Sequence, residues 1–132
     1  MMESSTAVAF LVALLVLSQS CLGSAVHMRI DNRLGPPVGV YCNAEDGTQV
    51  GYHVIPNQAY WKFSIYPNPQ RTSYQCNFKW AGESHDLRIY DDARGLGFDT
   101  YHWALNENGA CLLMDSIGTW QCYSWLQSAN GN

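Results

Sequence analysis

The sequence predicts an all-β fold, a small antiparallel β-sandwich pinned by two disulfides, on three observations. Short runs of alternating apolar and polar residues, broken by turn residues, recur from Val26 onward, and no segment after the leader carries a helical period. In Tyr74-Gln75-Cys76-Asn77-Phe78-Lys79-Trp80 the apolar residues occupy every second position, which describes a half-buried strand with Cys76 on its buried side. In Val38-Gly39-Val40-Tyr41-Cys42 the second cysteine stands in phase with Val38 and Val40, so it too points inward. Two inward cysteines on distant strands imply two sheets packed face to face, with the pair bridging the core between them.

The chain opens on a leader. Residues 7–17 are an uninterrupted apolar run, followed by Ser18, Gln19, Ser20, Cys21 and the small residues Gly23, Ser24 and Ala25. That is the pattern of a secretory signal peptide, although Glu3 stands where a basic residue is usual. The run is shorter than the about 20 apolar residues that cross a bilayer as a helix. Cleavage is expected after Ala25, with Gly23 as the alternative, giving a signal peptide at 1–25 and one domain at 26–132, secreted to the extracellular region. Either cleavage removes Cys21 and leaves Cys42, Cys76, Cys111 and Cys122, an even number in a short exported chain and hence a disulfide framework. Loss of Glu3 leaves seven basic and ten acidic residues, a net charge near −3. The basic residues are scattered singly along the chain, which argues against a nucleic-acid partner. No Asn-x-Ser/Thr triplet occurs, so N-glycosylation is not expected.

The strands follow in order. Residues 26–31 alternate, and Gly35-Pro36-Pro37 closes that run because proline lacks the amide hydrogen a ladder requires. Strand 38–42 is followed by the polar turn 43–48. Strand 49–55 carries Val50, Tyr52 and Val54 on one face and Gly51, His53 and Ile55 on the other. Strand 59–65 shows Trp61, Phe63 and Ile65 on one side, and 66–71, with two prolines, forms a rigid connection to 74–80. The turn at Ala81, Gly82 and Glu83 leads to 85–90, whose inner face is marked by Leu87 and Ile89; 91–97 is a loop by composition. Tyr101, Trp103 and Leu105 alternate, 106–109 turns, and 110–114 pairs with 119–126 across Asp115-Ser116-Ile117-Gly118. With Ser116 and Ile117 as the loop, counting outward sets Cys111 opposite Cys122. The second disulfide is therefore a hairpin staple, and Cys42 pairs with Cys76. For the 35 residues that this first bond encloses, chain entropy gives about 3 to 4 kcal/mol.

Catalytic chemistry finds little material. Paired cysteines supply no nucleophile or thiolate ligand. His27, His53, His85 and His102 occur singly, outside any metal-ligand spacing. Adjacent Asp91 and Asp92 point opposite ways in an extended segment and suit a solvated turn better than a facing carboxylate pair. Gly95-Leu96-Gly97 lacks the following helix of a phosphate loop. Trp61, Trp80, Trp103, Trp120 and Trp125 are candidate sugar platforms, but most lie on the core-facing series. Trp125, Tyr41, Tyr60 and Tyr123 are the better candidates for surface contacts. No catalytic residue, metal or cofactor is expected.

Taken together, 26–35 (Val-His-Met-Arg-Ile-Asp-Asn-Arg-Leu-Gly), Val40-Tyr41-Cys42, Phe63, 74–80, Ile89-Tyr90-Asp91-Asp92-Ala93-Arg94, Trp103, Asn108-Gly109 and 120–125 resemble the plant self-incompatibility protein S1 family, also called S-protein homologues. The likeness spans Val26 to about Leu126 and rests on the order and spacing of these pieces. It implies a secreted, non-enzymatic β-sandwich, a signalling ligand recognised by a plasma-membrane receptor on a target cell, with rejection of self pollen as the setting of the best-understood members. A monomer is expected. The chain departs from the family at Thr100-Tyr101-His102, where members often carry a cysteine, and at Cys122, which supports the local Cys111–Cys122 bond. The receptor is expected to read the loops 43–48, 66–71 and 91–99, with Asn68, Arg71, Asp91, Asp92 and Arg94 as contact residues. An extracellular carbohydrate-binding or wall-acting protein is the alternative, since a fold alone does not settle function.

Overall fold

The computed structural model describes residues 24–114 and 118–125. Residues 1–23, on which the expected signal peptide falls, residues 115–117, with the expected loop of Ser116 and Ile117, and the residues after Trp125 lie outside the described residues. Among the described residues there are nine strands: β1 (Val26–Asn32), β2 (Val38–Ala44), β3 (Gln49–Ile55), β4 (Tyr60–Ile65), β5 (Ser73–Trp80), β6 (Glu83–Asp91), β7 (Thr100–Asn106), β8 (Gly109–Leu113) and β9 (Trp120–Ser124). They form a five-stranded sheet in the order β4-β1-β7-β8-β9 and a four-stranded sheet in the order β3-β2-β5-β6. The expected two-layer sandwich is therefore present, with one departure from an all-antiparallel arrangement. Strands β1 and β7 run parallel, Met28 beside Tyr101 and Ile30 beside Trp103. A parallel pair needs a long crossover, and here the whole second sheet lies between its two strands in sequence.

Alternation translates directly into burial. Tyr74, Cys76, Phe78 and Trp80 on β5, Leu87 and Ile89 on β6, and Tyr101, Trp103 and Leu105 on β7 all face the core. From the first sheet Met28, Ile30, Trp103, Leu105 and Leu112 meet Val38, Val40, Phe78, Leu87 and Ile89 of the second. Trp103 also ties the layers by a hydrogen bond, its indole Nε1 donating to the Ile89 carbonyl at 3.1 Å. Asn32, fully buried, satisfies its amide on the carbonyls of Pro36 (2.8 Å) and Ile55 (3.0 Å) and accepts from the Leu34 amide. A buried side-chain amide is tolerated because its donors and acceptor are used.

Both expected disulfides are formed, Cys42–Cys76 and Cys111–Cys122. Their placement corrects one expectation. Strands β2 and β5 are neighbours in one sheet with Cys42 directly opposite Cys76, so this bond does not bridge the two layers; it links adjacent strands on the inner face. The inward parity was right, but two residues facing the same core can belong to the same sheet. Cys111 stands opposite Cys122 as the hairpin count requires. Neither bond joins the layers, which are held together by apolar packing.

Aromatic groups close both open sides. At the β3/β4 side the His53 ring stacks on Trp61 with centroids 4.9 Å apart, and Trp61 packs on Phe63. At the β6/β9 side Trp125 lies against Phe78, Trp80 and His85. Trp125 is thus buried, and its Nε1 donates to the Glu107 carbonyl at 3.0 Å. The expectation that it serves surface contacts is overturned, because the indole fills the gap between sheet edges. Tyr41 and Tyr60 are exposed as expected, and Tyr123 is half-buried. The β5–β6 hairpin turns on Ala81 and Gly82, both at positive φ, the geometry that matches strand twist in a two-residue loop.

Candidate functional site

The three loops singled out from the sequence converge on Thr72. The turn between β2 and β3 supplies Glu45, whose Oε1 accepts from the Thr72 amide at 3.0 Å and from its hydroxyl. The segment leading to β7 supplies the Asp92 amide, which donates to the Thr72 carbonyl at 2.8 Å. The connection from β4 to β5 contains Thr72 itself and is braced by a backbone bridge between Asn68 and Arg71. Arg71 then reaches the first loop, its Nε donating to Asp46 Oδ2 at 2.9 Å. Each contact explains part of why chain segments with no regular pairing hold one arrangement.

Electrostatics follow from these contacts. Hydrogen bonds from Thr72 hold the Glu45 carboxyl below its ordinary pKa. The Thr48 hydrogen bonds, reinforced by Arg71, do the same for Asp46, and Asp46 in turn raises Arg71. Burial pushes the Tyr90 and Tyr101 phenols up. Arg71 pairs with Asp46 and Arg88 with Asp91, while Glu45 and Asp92 have no ion pair among the described residues, which leaves the loop surface acidic.

The expected contact residues are not equivalent. Asp91 ends β6 and caps a single 3-10 turn (Asp92–Arg94), Oδ1 accepting from the Ala93 amide at 3.0 Å while Oδ2 meets Arg88 at 3.3 Å. Asn68 turns its Oδ1 to the Gln70 amide. Asp92 is exposed and lines two clefts, one with Pro67, Asn68, Pro69, Thr72 and Tyr90, the other with Gly95, Leu96, Gly97 and Tyr101. Arg94 departs from expectation. Rather than projecting from the loop, its guanidinium folds back to lie 5.0 Å from the Tyr123 ring and 5.9 Å from Trp103, with Nη1 buried. The ring faces attract the cation and shield it from water. Sequence reasoning missed Thr72, Glu45 and Asp46, whose roles depend on partners far along the chain. Among the described residues no group of three metal-ligating side chains occurs, and no helix is long and apolar enough to cross a membrane.

A two-layer β-sandwich with two strand-to-strand disulfides and a braced set of end loops defines the class of small disulfide-bonded all-β proteins. Residues 27–125 match the plant self-incompatibility protein S1 family, and the chain belongs to that family. It is 31% identical to S-protein homolog 2 of Arabidopsis thaliana over 113 residues, covering 76% of this chain and 68% of that one. It is 30% identical to S-protein homolog 4 over 126 residues, covering 88% and 78%, and 29% identical to S-protein homolog 5 over 93 residues, covering 69% and 70%, both also from Arabidopsis thaliana.

Proposed function

We propose that this protein is a secreted, non-enzymatic signalling ligand, recognised by a plasma-membrane receptor through the acidic loop end built around Thr72, with self-pollen rejection as one setting for such a ligand. The observation that carries this reading is the bracing of three loops into one surface with Asp92 exposed between two clefts. Ordered loops lose little entropy on binding, which favours recognition, and a concentrated negative charge steers encounter with a basic partner. Asp91 is engaged by the turn it caps and by Arg88, which supports recognition over hydrolysis by a carboxylate pair.

Asp92→Lys reverses the exposed charge without touching a core residue. The variant is expected to be secreted and to fold as the native protein does, and to bind target cells at least about tenfold more weakly, with the loss greatest at low salt. Saturable binding of labelled protein to living cells measures it. Undiminished binding by this variant, or turnover of a wall polysaccharide by the purified native protein, would overturn the reading.

A further inference from the structure

The outer face of the five-stranded sheet carries a groove that the loop surface does not use. It is lined by two rows of side chains that cross three strands. Lys62 on β4 pairs with Arg29 on β1, which pairs with His102 on β7; two residues along, Ser64, His27 and Thr100 form the second row. The cavity is about 560 Å³, with Met28 and Phe63 adding apolar surface between the polar side chains. Like charges directly opposite on neighbouring strands destabilise a sheet; here Asp31 offsets Arg29, while the Tyr60 ring, 5.3 Å from Lys62 Nζ, is the contact that Lys62 shares with Arg29.

One carboxylate organises the cations. Asp31 Oδ1 accepts from Arg29 Nε at 2.7 Å, Oδ2 meets His102 Nε2 at 2.8 Å, and Arg33 stands 3.7 Å away. A guanidinium has five N–H donors, so holding Nε leaves the terminal donors of Arg29 for another acceptor. Lys62 has no acidic partner among the described residues. Three fixed cations against one carboxylate leave this face positive on a chain whose net charge is −4. Both ends of the charged row carry an aromatic ring. Tyr60, half exposed, lies 4.2 Å from Arg29 Cζ, and Trp120 lies 5.3 Å from the His102 ring and 5.2 Å from Arg33 Cζ.

We propose that this groove binds an acidic polysaccharide, a uronate-bearing chain laid across β4, β1 and β7. Lys62 and Arg29 take its carboxylates, Ser64, His27 and Thr100 its hydroxyls, and Tyr60 and Trp120 stack on the apolar faces of its sugar rings. Three features select this ligand over an isolated small anion: the groove is open, the donors repeat along a row, and flat aromatic rings flank the charges. The site is distinct from the loop surface but abuts it, since β4 runs from Ser64 into the 66–71 loop and the 91–99 loop returns to Thr100. An anchored protein could thus present its loops from a matrix.

The test uses the whole secreted protein with polygalacturonate, its fully methyl-esterified form, and poly-glutamate as the acidic peptide control, in binding titrations at low and high salt. Polygalacturonate is expected to bind, the ester at least about tenfold more weakly, and added salt to weaken the contact. Lys62→Gln is expected to lose about three- to tenfold, one cation's share of an exposed contact, and Lys62→Glu more. Lys79→Gln, on the outer face of the other sheet, should leave affinity unchanged. Because Arg29→Gln also disturbs Asp31, the Lys62 variants carry the test. Equal binding of the ester, native affinity in Lys62→Glu, or tighter binding of poly-glutamate would each overturn the proposal.

Discussion

At the scale of single residues, Asp31 illustrates how a side chain can serve fold and site together. Burial alone would raise its carboxyl, but hydrogen bonds from Arg29 and His102, with positive charge beside it, prevail and hold its pKa below the ordinary value. The unfolded chain therefore takes up the proton first as pH falls. Stability contributed by Asp31 is complete above the unfolded pKa, about 3.9, and is lost as pH drops through the lower folded value. Glu45 and Asp46, also lowered, act in the same direction. Urea unfolding midpoints between neutral and strongly acid pH are expected to fall below about pH 4, and to fall less steeply in Asp31→Asn, which should also be less stable at neutral pH. Parallel curves for the two proteins would assign the acid sensitivity elsewhere.

Among the elements, the two disulfides differ in setting although both connect neighbouring strands. Cys42 and Cys76 are fully buried on the inner face and lie 34 residues apart, whereas Cys111 and Cys122 lie 11 apart, half-buried and exposed respectively. Chain entropy gives about 4 kcal/mol for the longer closure and about 3 kcal/mol for the shorter. Replacing the buried sulfurs also removes packed volume. Cys42→Ala/Cys76→Ala is thus expected to unfold at markedly lower urea than Cys111→Ala/Cys122→Ala, and to secrete poorly. Equal midpoints would mean that the core bond adds nothing beyond closure of the hairpin.

For the whole molecule, the decisive fact is that no disulfide crosses between the layers. Trp103 lies at their junction, fully buried and hydrogen-bonded from β7 to the Ile89 carbonyl of β6. Trp103→Ala removes a large core side chain and leaves that carbonyl unpaired, a loss of about 3 to 5 kcal/mol. Both disulfides should remain formed in the variant, yet near-ultraviolet circular dichroism and urea titration without reductant should report a loosened core. A native midpoint with intact bonds would show that the sheets hold each other without this residue. Charge is also divided at this scale, with Glu45, Asp46 and Asp92 at the loop end and Arg29, Arg33 and Lys62 on the outer face of the five-stranded sheet.

Period-two alternation is a local property, and it carried most of the fold in the sequence. Strand positions, the inward faces of Cys76, Phe78, Leu87 and Trp103, and the Cys111–Cys122 register all follow from spacing along a pleated backbone. Gly, Pro and Asp clusters likewise marked the 43–48, 66–71 and 91–99 loops. Which strands become neighbours is a long-range matter that alternation does not encode. Only the tertiary structure set Cys42 and Cys76 in one sheet, ran β1 parallel to β7, closed an edge with Trp125 and turned Arg94 back onto aromatic rings. The candidate surfaces depend on the same pairing. Thr72 meets Glu45 across 27 residues, and Arg29, Lys62 and His102, far apart in the chain, share a row because three distant strands lie side by side. Local periodicity determines which way a side chain faces; the energy of packing two sheets determines what stands beside it.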